Sequence, residues 1–249
     1  MSVQQPDRTV SYGPDPAQFG ELYLPSGAGP YPVVALMHGD HSAIALAQDL
    51  RARGYAVWHV GYRARAGWPG TFADVAAAID AVRDLGRSLD HRRVITVGHA
   101  VGGQLAVWAA SRPDLPRQAP GFAPRVLPIG AVSLSGVLDL VAADADRGQL
   151  ATELTALLGG HAAEYPERYA WTSPTMLNSG TVPVLAVHGI DDDVVPIRHG
   201  RNYLSAATAR HEPVEFREFP GVGHVDLLDP AHPQWAEIAD WLEKRFTSS

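Results

Sequence analysis

Short, continuous apolar runs alternate along this chain with longer stretches in which apolar residues recur every three or four positions. The continuous runs occupy residues 33–37, 55–60, 94–97, 129–134 and 184–187. Runs of this length and character are typical of strands buried on both faces of a parallel sheet. A short edge strand over 21–24 and an alternating last strand over 214–219 complete the set. The pattern favours an α/β fold made of strand–helix units.

Helices are predicted between these strands. Thr71 is expected to cap one of them, with Asp74 in its first turn, and apolar residues then follow one helical face as far as Leu85. A final helix is predicted around Trp235 and Trp241, whose spacing keeps the apolar residues on one side.

The segment 137–177 is long and mixed in character, and it lies between two predicted strands. Long excursions in compact domains are usually functional, so we expect a small cap over a pocket there, although an ordinary crossover would also fit. Repeats, low-complexity tracts and linkers are not evident, and residues 1–249 are interpreted as a single domain.

Composition excludes several classes of function. The 20 Lys and Arg residues are scattered and the formal net charge is −7, whereas nucleic-acid binding requires a basic face. The chain has no cysteine, which excludes disulfides, thiolate catalysis and Cys-based zinc sites. No apolar run is long enough to span a bilayer and the first residues lack a signal-peptide pattern, so we expect a cytoplasmic protein without membrane contact.

The most informative segment is Gly98-His99-Ala100-Val101-Gly102. A predicted strand leads into it and a predicted helix follows, which is the context of the G-x-S-x-G turn that exposes a nucleophilic serine. Here the central residue is Ala100, and a methyl group cannot attack a carbonyl carbon. The amide of Val101, at the start of the helix, is expected to stabilise an oxyanion.

Two later segments supply the other groups of a catalytic triad. A predicted strand ends at a Gly-rich loop that presents His224, the expected general base. An earlier strand leads into three aspartates, of which we choose Asp192 as the acid that orients His224. Asp191 and Asp193 are expected to face solvent or brace the loop, and Asp139 is a lesser rival. The order nucleophile position, acid, histidine is that of the α/β-hydrolase triad.

At these positions the chain resembles the α/β-hydrolase superfamily, most closely its esterase and kynurenine formamidase (arylformamidase)-like branch. The resemblance extends over nearly the whole chain. Its matching pieces are Tyr12-Gly13-Pro14, Leu22-Tyr23-Leu24-Pro25, His38-Gly39, Arg53-Gly54-Tyr55-Ala56-Val57-Trp58, Tyr62-Arg63, Trp68-Pro69-Gly70-Thr71, and the segments 98–103, 188–196 and 221–224. It implies a mostly parallel sheet of about eight strands with helices on both faces. It also implies hydrolysis of a small ester or amide without a cofactor.

The loop after the first central strand departs from the family pattern. The family has His-Gly-Gly followed by aromatic residues, whereas this chain reads His38-Gly39-Asp40-His41-Ser42. An amide near Asp40 or His41 is expected to be the second oxyanion donor. A carboxylate there would oppose an oxyanion unless it faces solvent or pairs with His41. Ser42 as a substitute nucleophile, and a metal held by His38, Asp40 and His41, are both disfavoured.

The expected pocket walls are His41, Tyr62, Trp68, Leu138 and Trp171, although each residue taken singly also fits a scaffold role. Aromatic walls favour a substrate with an aromatic or other apolar part. The expected partner is therefore a small-molecule ester or amide. The sequence leaves open whether the protein is a monomer or a homodimer.

Three hypotheses account for Ala100. The favoured one is a serine esterase or amidase carrying an engineered inactivating serine-to-alanine change, with His224 and Asp192 still in place. The second is a natural enzyme in which the His224–Asp192 dyad abstracts a proton for elimination, isomerisation or cofactor-free oxygenation. The third is a non-catalytic protein that keeps the pocket as a ligand receptor.

Overall fold

The computed structural model describes residues 5–39, 41–146 and 148–248. Its strands are β1 (Arg8–Ser11), β2 (Phe19–Tyr23), β3 (Tyr31–Met37), β4 (Ala56–Val60), β5 (Leu89–His99), β6 (Gly130–Leu134), β7 (Val184–Gly189) and β8 (Val214–Phe219). Its α-helices are α1 (Ile44–Ala52), α2 (Gly70–Ala81), α3 (Val101–Ala110), α4 (Leu140–Ala145), α5 (Gln149–Leu158), α6 (Pro166–Ala170), α7 (Arg198–Ala209) and α8 (Pro233–Thr247).

The eight strands form one sheet in the order β1-β2-β4-β3-β5-β6-β7-β8. Strands β3 to β8 run parallel to one another, and the first two strands pair antiparallel at one edge. The strand order reverses between β3 and β5, because the chain goes outward from β3 to β4 and then returns to the other side of β3. Ligands of open α/β sheets bind at such a reversal, outside the carboxyl ends of the strands.

Helices cover both faces of this sheet, as expected for the α/β-hydrolase fold. Along β3 the apolar residues alternate between two cores, because successive side chains of a strand point to opposite faces. Val34 and Leu36 pack in the core that contains residues of α1 and α8. Val33 and Ala35 belong to the core that contains residues of α2 and α3. The continuous apolar run predicted here as a doubly buried strand therefore has a partner on each side.

Two local expectations were wrong. Thr71 does not cap α2, whose N-cap is Pro69. Instead the Thr71 hydroxyl donates to the Arg63 carbonyl at 2.8 Å. Asp74 does not serve the first turn either, since its buried carboxylate accepts from the Arg63 guanidinium at 2.7 and 2.8 Å. Asp74, which the sequence assigned to the start of a helix, therefore forms a tertiary ion pair with Arg63 instead.

The long connection between β6 and β7 contains α4, α5, α6 and a short 3-10 turn, Pro174–Met176. Its interpretation as a cap stays a prediction. In the described parts of the chain, no helix combines the length and the apolar character needed to cross a bilayer.

Candidate active site

Ala100 lies at the turn between β5 and α3, at the point where the strand order reverses. Its φ is 54° and its ψ is −119°. A non-glycine residue with positive φ is strained, and such residues persist where the surrounding structure imposes them, often at active sites. Here the amide of Ala100 donates to the Leu134 carbonyl of the neighbouring strand at 3.0 Å, which anchors the turn.

The glycines on either side of Ala100 are required by close packing. A Cβ atom on Gly98 would lie 2.0 Å from the Gly102 carbonyl oxygen. A Cβ atom on Gly102 would lie 2.4 Å from the Met37 carbonyl oxygen of β3. The turn can therefore be this sharp, and α3 can approach the sheet this closely, only because both positions lack side chains.

His224 and Asp192 form a buried pair. Nδ1 of His224 donates to Oδ2 of Asp192 at 2.9 Å, and the side chains are 5% and 0% exposed. The other carboxylate oxygen, Oδ1, accepts the amides of Val194 at 3.0 Å and Val195 at 2.8 Å. The loop after β7 thus fixes the carboxylate, and the carboxylate in turn fixes the orientation of the imidazole.

The charge of Asp192 is stabilised by its neighbours. Burial alone would raise the pKa of this carboxyl group. The hydrogen bonds from His188, His224 and the Val195 amide outweigh burial and hold the pKa well below its usual range. Nε2 of His188 donates to the Val195 carbonyl at 2.8 Å and lies 3.3 Å from Oδ2 of Asp192. Asp192 is therefore a carboxylate at neutral pH.

The rival aspartates lie elsewhere. Asp191 and Asp193 are exposed. Asp139 caps α4, where it accepts the Ala142 amide at 3.1 Å, and it also accepts from the Asn202 side chain at 2.8 Å. Asp192 is the one of these four carboxylates that contacts His224.

His99 is a site residue that the sequence analysis did not single out. Its ring centroid is 4.4 Å from that of His224, and its Nε2 donates to the His224 carbonyl at 2.8 Å. Burial lowers the pKa of His99 to about 4, so the ring is neutral at pH 7. Its position beside Ala100 was the only available signal, because the contact joins residues 125 positions apart.

The expected oxyanion donors are only partly described. Val101 is the first residue of α3, where amides have no partner within the helix. A Cβ atom on Gly39 would lie 3.3 Å from the Ala100 Cβ and 3.7 Å from the Val101 nitrogen, so the loop after β3 lies directly against the turn. His41 is exposed, with its ring centroid 6.2 Å from that of His224. The predicted role of Asp40 falls outside the described residues.

Among the predicted pocket walls, Tyr62 belongs to a core cluster against which Trp68 and Trp171 also pack. Trp68 and Trp171 lie together, with ring centroids 6.1 Å apart. Tyr62 stacks on His38 at 5.8 Å and donates to the His38 carbonyl at 2.6 Å. Leu138 is 1% exposed and packs in a core cluster with residues of α3, α7 and the sheet. Burial of Leu138 in that core leaves little of its side chain to line a pocket.

A family model described as BD-FAE matches residues 21–206. The chain belongs to the BD-FAE family. This match begins within β2 and ends within α7, and so includes the Ala100 turn and Asp192 but not His224. The formamidase branch inferred from the sequence stays a prediction.

Two relatives of this BD-FAE chain are similar at the level of sequence. The uncharacterized peptidase YtmA of Bacillus subtilis is 27% identical over 91% of this chain and 88% of its own length. The esterase LipC of Mycobacterium tuberculosis is 27% identical over 90% of this chain but only 61% of its own length. The chain thus spans less than two thirds of LipC.

A solved structure has the same fold. The truncated form of a carbohydrate esterase from gut microbiota superimposes with a TM-score of 0.81 and 21% identity, covering 96% of this chain and 95% of that one. The similarity at this level of identity establishes the α/β-hydrolase architecture.

Proposed function

We propose that this chain carries the site of a serine-type ester hydrolase in which Ala100 replaces the nucleophile. The observation that carries the proposal is the conformation of Ala100, with φ of 54° and ψ of −119° on a turn flanked by obligatory glycines. An alanine gains nothing from this strained backbone. A sharp, strained turn of this kind exposes the side chain at its centre to the substrate, as it does for the serine of a nucleophile elbow.

The remaining groups suit acyl transfer. Nδ1 of His224 donates to Asp192, which leaves Nε2 as the nitrogen available to take a proton. A serine hydroxyl at position 100 would lose its proton to Nε2 while its oxygen attacked the ester carbonyl. The alcohol would leave with that proton, and water activated by His224 would then release the acid. With alanine, neither the covalent intermediate nor the two steps through it are available.

The substrate class we propose is a small ester. Support comes from the BD-FAE family match and from the sequence similarity to the esterase LipC. Hydrolysis of an amide or aryl formamide is a finer prediction, and the assay below includes it. An engineered origin of Ala100 also stays a prediction. The alternative hypotheses of a proton-abstracting His224–Asp192 dyad and of a non-catalytic ligand receptor are predictions too.

The test is the Ala100→Ser variant, assayed in a chelating buffer on nitrophenyl esters of short acids and on an N-formylated aromatic amine. We expect kcat/KM for at least one ester to rise by about 1000-fold, the scale on which a missing nucleophile matters. The double variant Ala100→Ser/His224→Ala is the matched control, since it has the hydroxyl without its base. It should remain as inactive as the starting protein.

An unchanged rate in a folded Ala100→Ser protein would overturn the proposal, because every other group of the mechanism would be present. The result would favour the dyad and receptor hypotheses instead. A rise that survives the loss of His224 would also contradict the mechanism, since the hydroxyl would be acting without the base proposed for it.

A further inference from the structure

Three histidines converge beside Ala100. His41 follows β3, His99 ends β5 and His224 follows β8, so they come from three separate strand ends. One ring nitrogen of each lies within 4.8 Å of a nitrogen of the other two. Because His99 and His224 are buried and His41 is exposed, the cluster opens to solvent on the His41 side.

The two buried rings have fixed tautomers. His99 donates its Nε2 proton to the His224 carbonyl at 2.8 Å, and His224 donates its Nδ1 proton to Asp192 at 2.9 Å. In a neutral imidazole the second nitrogen then carries a free lone pair. Histidines that bind metals show this arrangement, with the other ring N–H donated to a carboxylate or a backbone carbonyl.

The lone pair of His99 is unused in the structure. His99 is 1% exposed, so water from the surface does not reach its Nδ1 atom. This atom has no hydrogen-bond partner among the described residues. Buried polar atoms are rarely left without a partner, and an exception calls for a bound water or ion. Ala100 also offers no hydroxyl that would occupy the second nitrogen of His224.

We propose that His41, His99 and His224 bind one divalent transition-metal ion of the Zn²⁺ or Co²⁺ type. Imidazole is a preferred ligand of these ions, and three histidines leave one tetrahedral position for water. The site goes beyond the proposed esterase function. It also differs from the cluster considered in the sequence analysis, because His38 hydrogen-bonds the Gly39 carbonyl and stacks on Tyr62.

Binding requires a modest closure of the cluster. With Zn–N bonds of about 2.0 to 2.1 Å, tetrahedral ligand nitrogens lie roughly 3.3 Å apart. In the structure these three ring nitrogens all lie within 4.8 Å of one another. His41 is exposed and precedes α1 on a short connection, so a movement of its side chain can shorten its distances to the two buried rings. The buried rings keep the positions that their hydrogen bonds impose.

Metal binding and the proposed acyl transfer compete for one atom. Both use Nε2 of His224, in one case as a ligand and in the other as the base. Ion binding is therefore favoured in the Ala100 protein, and an ion added to the Ala100→Ser variant should inhibit ester hydrolysis. Removal of the ion by a chelator should restore that activity.

The experiment measures binding directly. The full-length protein is freed of metal by dialysis against a chelator and then titrated with Co²⁺, followed by visible absorption, and with Zn²⁺, followed by calorimetry. We expect one ion per chain and the absorption bands of four-coordinate Co²⁺. His41→Ala and His224→Ala should each lower the Zn²⁺ affinity by at least about 100-fold, and Asp192→Asn by about 10- to 100-fold.

His91→Ala is the matched control, because His91 is exposed at the opposite end of β5. This variant should bind Zn²⁺ as the parent does. Replacement of buried His99 risks misfolding, so the exposed His41 provides the decisive variant. The proposal is wrong if the parent binds neither ion stoichiometrically, or if His41→Ala binds as tightly as the parent.

The two proposals fail separately. Esterase activity of Ala100→Ser is measured in chelator, where the ion plays no part, whereas ion binding is measured on the Ala100 protein without a substrate. Loss of one result with the other intact identifies which proposal is wrong.

Discussion

Two carboxylates in this molecule, the half-buried Asp80 and the buried Asp192, are held by nearly the same kinds of hydrogen bond, yet only Asp192 adjoins groups that can exchange protons. Asp80, near the end of α2, accepts from both terminal nitrogens of Arg112 at 2.8 and 3.1 Å and from two backbone amides. Asp192 also accepts two amides, together with His224. The partner of each carboxylate therefore decides its role.

Arg112 makes the Asp80 region purely structural. Its side chain is 1% exposed, and its Nε donates to the Gly121 carbonyl at 2.9 Å. A guanidinium stays charged at every accessible pH, so this pair can tie α2 to the loop beyond α3 but cannot move a proton. An imidazole beside a carboxylate can gain or lose one near neutral pH. Burial and hydrogen bonding of a carboxylate therefore do not by themselves identify an active site.

The largest expected effect separates the two carboxylates by activity. In the Ala100→Ser background, Asp192→Asn should lower kcat by about 10,000-fold, because an amide favours the wrong tautomer of His224. Asp80→Asn should leave kcat nearly unchanged below its melting temperature. Asp193→Asn is the control for the loop, since Asp193 is exposed beside Asp192. Equal losses of kcat in Asp80→Asn and Asp192→Asn would show that the two carboxylates do not differ in their catalytic role.

The second effect is on stability. Asp80→Asn leaves the buried Arg112 charge without its partner, which should lower the free energy of unfolding by about 3 kcal/mol. For a domain of this size that corresponds to a fall of about 10 °C in Tm. Asp84→Asn provides the matched control, because the Asp84–Arg125 pair is largely exposed and its loss should leave Tm almost unchanged. A Tm for Asp80→Asn equal to that of the parent would contradict the structural role.

The third effect is the pH dependence of the stability that Asp192 contributes. The folded-state pKa of Asp192 lies below its unfolded value, so the unfolded chain binds more protons between these two values. The stability that Asp192 contributes is present above about pH 4 and is lost as the pH falls below it, by at most about 1.4 kcal/mol per pH unit. Urea unfolding of metal-free parent and Asp192→Asn between pH 5 and pH 3 measures this. The difference between the two proteins should shrink on acidification, and a constant difference would refute the depressed pKa.

The smallest effect concerns the support of Asp192. His188 lies behind the carboxylate and braces the Val195 carbonyl. In the Ala100→Ser background, His188→Gln should lower kcat by about tenfold with little change in KM, because the loop that holds Asp192 loses the hydrogen bond from His188 to the Val195 carbonyl. A larger rise in KM than fall in kcat would place His188 in substrate binding instead.

Local pattern explains why so much of the sheet was predictable. Strands β3 to β8 carry apolar runs or alternation, and each was predicted within two residues of its observed bounds except β5, which begins at Leu89, five residues before the predicted run over 94–97. β1 was missed because its four residues are mostly exposed at the sheet edge, so they carry no apolar signal. Leu138 packs in a core cluster, and its role as a pocket wall stays a prediction, because apolar character is common to core and wall residues.

The sequence by itself determined the strand–helix alternation, the glycine-flanked turn with Ala100 at its centre, and the order in which Asp192 and His224 follow it. Each of these is written in short, contiguous patterns whose backbone consequences are local. Only the tertiary structure decided that Asp192 meets His224, that Arg112 neutralises Asp80, and that His41, His99 and His224 come together. These contacts join residues far apart in the chain, and their pairing is fixed by the crossing of strands and helices rather than by any local pattern.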